Sequence, residues 1–328
     1  MAGQVFAVGS LGGLFDGKNL SDELLKGNMA TQKFRQFSDI KNAWNTKRSG
    51  ETFTWDLVPM MTRGNRSLAE TNTMPQGQTT VLQGTLTVAE RGMSVPYTGK
   101  LEKLAQIAVR KPIMDVLKYD AKCDLDCLAH QQFNLTPLRV AGNTASTVAT
   151  STAGTATGTA SFQLNKTHVR VINDGMRDRN IRPYVEDDYY AIGRHGALRQ
   201  LKTDMEGIHQ YTESGLTMIM NGEIGRYDSV RFVQQTTIPT GGAADTTTFD
   251  PFTDTSDAWT NASTGADWVF FFGADTVAEG VNTPEEIRFK EVTDFQRAKG
   301  IAWYYLGGFG LARTTAAEAT IVKYDSAE

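Results

Sequence analysis

The stretch KLEKLAQIAVRKPIMDVLKYDAKCDLDCLAHQQFN (residues 100–134) carries the longest apolar pattern of helical period in this chain. It predicts a short helix, a break at Pro112 and a long helix over 112–134, because proline is tolerated in the first helical turn. Pro137 ends the pattern. The helix is about 35 Å long at roughly 1.5 Å per residue, which is the width of a small domain. The apolar positions near helical spacing are Ile113, Val116, Leu117, Ala121, Leu125, Leu128 and Phe133.

The two cysteines, Cys123 and Cys127, both lie in this helix, on one face. Two are too few for a disulfide framework, and the simplest interpretation is small packing residues. A metal site with Asp124, Asp126 and His130 matches no zinc spacing. A thiol–imidazole pair of Cys127 and His130 is conceivable but has no third orienting group. The sequence therefore predicts no catalytic, cofactor-binding or metal-binding residue.

The composition describes a globular chain of 328 residues, with 40% hydrophobic content and a net charge of −4. This length suggests two or three lobes, and the small charge argues against a general nucleic-acid binder. No apolar run is long enough to span a membrane. The N-terminal MAGQVFAVGSLGGLF lacks the basic region of a signal peptide, so we expect a cytoplasmic product with a mobile arm.

Residues 1–50 are interrupted by glycines early on and read as an arm. Between 26 and 48, six basic residues and one acid give +5, and Phe34, Phe37 and Trp44 are interleaved with them. Basic and aromatic residues in this mixture can bind nucleic acid. A solvated face, or docking onto an acidic neighbour, explains the pattern equally well. The charged residues are Lys26, Lys33, Arg35, Asp39, Lys41, Lys47 and Arg48.

Residues 51–98 show period-two alternation in ETFTWDLV and again in TTVLQGTLTV, which predicts a two-stranded ribbon with a loop between the strands. A lone ribbon is marginal in water, so we expect it to lie on something. A neighbouring subunit and its own core are both candidates. The apolar positions are Phe53, Trp55, Leu57, Leu82, Leu86 and Val88.

The next part of the chain begins with an uncharged Ala/Thr/Ser/Gly run over 141–160, which predicts a loop or insertion. Residues 166–221 read as α/β: a helix over 166–180, a strand ending at Gly193, and an amphipathic helix with Leu198, Leu201, Met205 and Ile208 on one face. Tyr184, Tyr189 and Tyr190 suggest a pocket, although core packing or an interface is more usual for such a cluster.

The last hundred residues begin with NGEIGRYDSVRFV (221–233), which predicts a tight glycine turn before a strand. Residues 232–287 hold nine acids and no Lys or Arg. Asp245, Asp250, Asp254 and Asp257 lack the spacing of a calcium loop, so a solvated acidic loop is the default. ADWVFFFGADTVAEGV predicts a buried strand and then the start of a helix. GIAWYYLGGFGLAR and IVKYD predict a strand, a glycine-rich turn and an antiparallel closing strand over 320–324.

The order of these elements resembles the major capsid protein of tailed double-stranded-DNA phages, the Hong Kong-97-type fold. YVEDDYYAIGRHGALRQLKTD (184–204) resembles that family's strand followed by a helix. NGEIGRYDSVRFV resembles its glycine turn and strand, with Ser229 where a glycine is expected. GIAWYYLGGFGLAR with IVKYD resembles its C-terminal strand pair. Together the matches span about 78–325, and their order is more specific than any single one.

The resemblance implies an α+β fold divided into named parts. It implies an N-terminal arm over 1–50, an extended β-hairpin loop over 51–98 and a peripheral domain over 99–180, with the helix 112–134 as its spine. It also implies an axial domain over 181–300 and C-terminal strands over 301–328 that close the lobes together.

The resemblance further implies a structural protein and not an enzyme: a coat subunit that self-assembles into pentamers and hexamers of an icosahedral shell around packaged DNA. The implied location is the virion capsid, after assembly in the host cytoplasm. The implied partners are further copies of the chain, scaffold, portal and decoration proteins, and DNA contacted non-specifically, with no membrane and no cofactor. Two alternatives are an encapsulin-like cellular compartment and a soluble thiol enzyme using Cys127 and His130.

Overall fold

The structure is a computed structural model that describes residues 32–42, 52–61, 70, 79–105, 108–155, 162–209, 225–235, 266–291, 294–295 and 297–327. The chain forms two compact units. The smaller comprises the described parts of Glu90–Asp124 and Thr283–Leu306. The larger comprises those of Thr31–Ala89, Leu125–Asn282 and Gly307–Glu328. The start of the predicted arm, the predicted ribbon tip apart from Glu70, and the acidic loop lie outside the described residues.

The described elements mix helices and strands, so the fold class is α+β, as predicted. The helices are α1 (Gly99–Leu104), α2 (Arg110–Asn134), α3 (Lys166–Asp178) and α4 (Arg199–His209). The strands are β1 (Ser38–Asn42), β2 (Thr52–Leu57), β3 (Leu82–Thr87), β4 (Ala89–Thr98), β5 (Leu138–Gly142), β6 (Val148–Ser151), β7 (Tyr189–Gly193), β8 (Arg226–Tyr227), β9 (Val230–Gln234), β10 (Ala266–Phe272), β11 (Val277–Phe289), β12 (Ala298–Leu311) and β13 (Ile321–Ala327).

The predicted long helix is confirmed as α2, which begins two residues before the predicted start and places Pro112 in its first turn. Leu117, Leu125 and Phe133 are buried, as their spacing predicts. Val116 is wrong as a core position because its side chain is 55% exposed. Successive helical residues are about 100° apart, so Val116 points away from the face that buries Leu117.

A seven-stranded sheet of order β6-β5-β13-β10-β7-β9-β8 forms the centre of the larger unit. β10 lies in its middle, antiparallel to both β13 and β7. One face packs against α3 and α4, through residues such as Ile172 and Leu201. The other face carries Phe270 and Phe272, whose rings meet that of Phe133 on α2. Residues 268–272 of β10 are all buried aromatic or β-branched residues, which is why they read as an unbroken apolar run.

A four-stranded sheet of order β1-β11-β12-β4 contains the prediction that failed most clearly. The segment after the buried strand was expected to start a helix, but Val277–Phe289 is the thirteen-residue strand β11. Its first five residues pair in parallel with Ser38–Asn42. This partner lies more than 230 residues away in the chain, so no local pattern announces it.

The C-terminal region also differs from its prediction. The glycine-rich stretch is not a turn, because β12 continues through Gly307, Gly308 and Gly310. The last strand is confirmed as β13, but it pairs with β10 and β5 and belongs to a different sheet from β12. The low-complexity run was expected to be a loop, yet part of it forms β6, which pairs antiparallel with β5.

The predicted ribbon is confirmed over six residue pairs, Thr52–Leu57 with Leu82–Thr87. Exposed positions alternate with half-buried or buried ones, as period two predicts. The ribbon was predicted to reach residue 98, but Ala89–Thr98 is β4, an edge of the four-stranded sheet. We use the name ribbon for β2 and β3 only.

The tight turn lies later than the glycines that suggested it, three to four residues after Gly225 and six to seven after Gly222. Tyr227 pairs with Val230, and the two residues between them, Asp228 and Ser229, have φ of 49° and 59°. Two left-handed residues make the type of hairpin turn that normally selects glycine or asparagine. Ser229 therefore occupies a glycine-favouring conformation at the position where the resemblance led us to expect glycine.

The smaller unit is tied together by polar contacts on β12. Trp303 donates from Nε1 to Asp120 at 2.7 Å, which links β12 to α2. Lys299 lies 2.6 Å from Glu102, and Arg110 lies 2.7 Å from the same carboxylate. These contacts hold α1 and the start of α2 beside β12. No described helix is long and apolar enough to cross a membrane.

Candidate functional site

The segment of residues 32–42, from the predicted arm, is anchored in the larger unit by two aromatic rings. Phe34 is fully buried, and its ring meets those of Phe133 and Phe270 edge-on at 5.4 and 5.8 Å between centroids. Phe37 is 7% exposed and packs against Phe272 at 5.0 Å. Edge-to-face pairs at such distances add to the stabilisation from burial. We call residues 32–42 the anchored segment.

A buried carboxylate on β11 holds the anchored segment a second way. Glu279 is fully buried, and Arg35 lies against it with Nη2 2.8 Å from Oε1 and Nε within 3.2 Å of both oxygens. Ser38 Oγ donates to the same carboxylate at 3.2 Å. Both oxygens of this buried carboxylate therefore have hydrogen-bond donors, as a buried polar group requires.

A second buried carboxylate, Asp126 on α2, binds the backbone of the same segment. The N–H of Arg35 donates to Oδ1 at 2.9 Å, and Gln235 donates from Nε2 to Oδ2 at 2.9 Å. Burial raises the pKa of the Asp126 carboxyl to about 6, although the hydrogen bonds, which include the N–H groups of Lys33 and Phe34, act to lower it. The segment is thus attached by side chains and by main chain.

These contacts decide between the interpretations of the basic, aromatic arm. Docking onto an acidic neighbour does not describe Arg35, because the carboxylate that it binds, Glu279, belongs to the same chain. Phe34 and Phe37 are core residues and are not available to stack on bases. Lys41 lies with Nζ 5.4 Å from the ring centre of Trp55. Lys26, Trp44, Lys47 and Arg48 lie outside the described residues.

The end of the ribbon formed by Leu86 and Thr87 packs on the end of β12. We call these two residues the root of the ribbon. A Cβ on Gly308 would lie 2.1 Å from the carbonyl oxygen of Thr87, and one on Gly310 would lie 2.8 Å from Cβ of Leu86. The two glycines therefore let the backbone of β3 approach β12 more closely than any other residue would allow. Leu86 is 3% exposed as a result. The alternative that the ribbon lies on its own core holds for this root.

Beyond the root, the ribbon carries a group of exposed apolar side chains. The exposed fractions are 63% for Val58, 83% for Met60, 44% for Met61 and 60% for Val81. These residues follow β2 or precede β3, on either side of the predicted tip. Several exposed apolar side chains next to the end of a two-stranded element are typical of a surface that another molecule covers. We call these four residues the apolar end of the ribbon.

The cysteine and histidine candidates are packing residues. His130 is fully buried between the rings of Phe34 and Phe270, and burial lowers its pKa to about 3. An imidazole with so low a pKa is a poor proton acceptor for a thiol at neutral pH. Cys127 is buried and Cys123 is half-buried, both as thiols. Within the described residues, no three His, Cys, Asp or Glu side chains are grouped to hold a metal ion.

The tyrosine and acidic candidates have separate outcomes. Tyr189 is buried and donates from its hydroxyl to the carbonyl of Ile181 at 2.8 Å. Tyr184 and Tyr190 pack on each other and on Phe272, so the cluster is aromatic packing. The four acidic loop residues named above, Asp245 to Asp257, lie outside the described residues.

Solved structures of similar fold are phage capsids. The capsid of Cyanophage P-SCSP1u has a TM-score of 0.68 and 10% identity, covering 96% of this chain and 94% of that one. The acidic stable capsid of Helicobacter pylori bacteriophage KHP30 has a TM-score of 0.67 and 12% identity, covering 95% of each chain. The capsid asymmetric unit of Cyanophage Pam1 has a TM-score of 0.63 and 16% identity, covering 100% of this chain and 99% of that one.

The chain has the major capsid protein fold.

The structural matches confirm the α+β class and the resemblance to phage major capsid proteins that the order of the sequence motifs suggested. Neither a family model nor a curated protein matches the sequence. The likeness is therefore one of geometry, at identities where side chains have almost all changed.

Three parts of this capsid-fold chain were missed by sequence reasoning. Glu279 was counted among the nine acids of 232–287 and assigned to the start of a helix, Asp126 was considered as a metal ligand, and the glycines of β12 were assigned to a turn. Only the last carried a usable signal. Gly308 and Gly310 alternate at period two within an aromatic strand, which is typical of a strand that another backbone crosses.

Proposed function

We propose that this protein is a phage coat subunit that self-assembles into pentamers and hexamers of an icosahedral shell enclosing double-stranded DNA. The observation that carries the proposal is the extent of the fold likeness. Capsid chains from several phages match over 94% or more of both partners' lengths. A likeness that takes in both chains from end to end favours a shared structural role over a catalytic one.

The apolar end of the ribbon supports assembly with further copies of the chain. Val58, Met60, Met61 and Val81 are exposed on the single subunit. Fully burying one such side chain stabilises by roughly 1.5 to 3 kcal/mol, so covering the group on a neighbour would contribute several kcal/mol to each contact. A two-stranded ribbon gains stability in this way only when it is bound. The stability of the ribbon thus depends on assembly of the shell.

We assign the parts of the chain on the same basis. The ribbon and residues 58–81 form the extended loop, the α2 helix forms the spine of a peripheral domain, and the seven-stranded sheet belongs mostly to an axial domain. The anchored segment is the base of an N-terminal arm. It leaves the arm firmly attached to its own subunit at 32–42, so any reach to a neighbour comes from residues on either side of this range.

The contact with DNA is non-specific in this proposal. The chain is slightly acidic overall, which suits a shell that encloses DNA without binding it tightly. Arg35 is bound to Glu279, so the basic residues of 26–48 contribute less to such a contact than their number suggests. Scaffold, portal and decoration proteins are the further partners we expect, with assembly in the host cytoplasm.

Electron microscopy of the purified full-length chain, expressed with and without the other head proteins of its phage, tests the proposal. We expect closed shells of uniform diameter, and nuclease-protected double-stranded DNA in particles from infected cells. A small soluble oligomer under both conditions would contradict the proposal. Shells that enclose an enzyme and no DNA would identify a cellular compartment of the same fold instead.

A further inference from the structure

Trp55 lies in a slot made by two glycines on two different strands. In the ribbon it is paired with Gly84, where a Cβ would lie 2.3 Å from Cε2 of the indole. On β12, a Cβ on Gly310 would lie 3.2 Å from Cη2 of the same ring. The indole therefore covers β3 and reaches the end of β12, and only glycine at position 84 leaves room for it.

A hydrogen bond fixes the indole within this slot. Its Nε1–H donates to the carbonyl oxygen of Ala312 at 3.0 Å, one residue after β12 ends. An indole N–H has a single donor direction, so this bond sets the angle of the ring as well as its position. Lys41 of the anchored segment lies over the same ring. One side chain thus joins β2, β3, the end of β12 and β1.

The other contacts of the root are made by β3. Thr87 rests on Gly308, and Leu86 and the carbonyl oxygen of Thr85 rest on Gly310, which seats β3 on β12 over three residues. Because these contacts run along a single strand, they act as a pivot for the ribbon. The indole lies on β2, the outer strand of the pair, so it is placed to resist rotation about that pivot.

We propose that Trp55 is a positioning residue that sets the direction in which the ribbon leaves its own subunit. This inference deepens the proposed function, because a fixed ribbon direction presents the apolar end to the next copy at one angle. A shell of one size needs every such contact to be made at closely similar angles. The contacts of Trp55 with Gly84, Gly310 and Ala312 are all within one subunit, so they exist before any neighbour binds.

The distance between two spin labels on unassembled subunits tests this directly. One label is placed at Met60→Cys, which is 83% exposed, and the other at Asp187→Cys, an exposed site two residues before β7. The background is Cys123→Ala with Cys127→Ala. We expect one narrow distance distribution in the parent protein and at least a twofold wider one in Trp55→Ala.

Two further variants and a matched control separate positioning from general destabilisation. Gly84→Ala keeps the indole but displaces it, so we expect the same widening as in Trp55→Ala. Trp55→Phe fills much of the slot without the N–H, so we expect an intermediate width. Thr54→Ala is the matched control, because Thr54 lies on the opposite, exposed face of β2, and we expect the parent width. Unchanged widths in both Trp55→Ala and Gly84→Ala would overturn the inference.

Particle diameter provides the second measurement. Trp55→Ala subunits that remain folded by circular dichroism should give a broader range of diameters than the parent, with Trp55→Phe between them. Uniform parent-sized shells from Trp55→Ala would overturn the role in assembly. If the parent chain forms no shells, the proposed function fails, and the label distances on single subunits still decide the role of Trp55.

Discussion

Arg35 and Glu279 lie 244 residues apart in the chain, and the guanidinium Nη2 of one is 2.8 Å from the fully buried carboxylate of the other. This ion pair joins the anchored segment to the parallel strand β11 beside it. The same segment also packs through the rings of Phe34 and Phe37 and donates to the carboxylate of Asp126, so four contacts of three kinds act on eleven residues.

Removing the cation of this pair should destabilise the subunit strongly. Arg35→Ala leaves Glu279 charged in the core, and we expect the free energy of unfolding to fall by about 3 kcal/mol, as for other broken buried pairs. Chemical denaturation of the unassembled chain measures it.

The matched controls for this pair are an exposed arginine and a double replacement. Arg182→Ala should change the stability by less than about 0.5 kcal/mol, because that side chain is exposed. Arg35→Met combined with Glu279→Met should cost less than Arg35→Ala alone, since no unpaired charge remains. A larger loss in the double variant would show that the ion pair is not the source of the effect.

Stability should depend on pH through Asp126. Its pKa is raised to about 6 in the folded chain, above the ordinary value of 3.8, so the folded state holds the proton more tightly. The contribution of this group is therefore fully present below about pH 4 and is lost as the pH rises through 6. It amounts to about 2 kcal/mol between pH 4 and pH 7.

Asp126→Asn isolates that contribution from the other titrating groups. The unfolding free energy of the parent should fall more between pH 4 and pH 7 than that of the variant, by about 2 kcal/mol. Denaturant titrations at several pH values give both curves. Parallel curves for the two proteins would show that burial of Asp126 is not linked to protonation.

Replacing Ser229 by glycine should stabilise the subunit. Ser229 has a φ of 59°, a left-handed conformation that costs most side chains roughly 1 kcal/mol and glycine very little. We expect a gain of about 1 kcal/mol in the free energy of unfolding. Ser146→Gly is the control, at an exposed position outside the left-handed residues, and it should be neutral or destabilising. Equal effects at the two sites would argue against strain at Ser229.

A charge at the apolar end of the ribbon should block assembly without unfolding the subunit. Met60 is 83% exposed, so Met60→Glu should change the melting temperature of the single subunit very little. Against an apolar surface on a neighbour the carboxylate would be buried without a partner, and we expect at least a tenfold loss of shells. Sedimentation through a density gradient measures the yield of assembled shells. Arg182→Glu, away from the ribbon, is the control and should assemble normally. Normal assembly of Met60→Glu would show that the apolar end of the ribbon takes no part in the contact between subunits.

Local patterns predicted those elements whose neighbours lie nearby in the chain. The α2 helix, the β2–β3 pairing, α3, α4 and β10 follow from periods of 3.6 or 2 within stretches of about 6 to 25 residues. The order of these elements was enough to suggest the capsid fold, which the structural comparisons bear out. Ser229 also stood out in the sequence, and the left-handed turn gives the physical reason.

The failed predictions all concern residues whose partners are distant. Val277–Val281 is a strand because Ser38–Asn42 lies beside it, and no window around position 277 contains that information. The glycines of β12 looked like a turn because a turn and a close backbone approach both favour glycine. Deciding between them required the position of β3, which lies more than 200 residues earlier.

The sequence by itself thus determined the helix, the ribbon and the order of elements that marks the fold, since each depends on side-chain periodicity over a few turns or strand residues. Tertiary structure alone decided that Glu279 and Asp126 are buried anchors, that Phe34 and Phe37 are core residues, and that Trp55 lies in a glycine slot. Burial and pairing are properties of groups brought together from distant positions, so one residue's type and its near neighbours do not specify them.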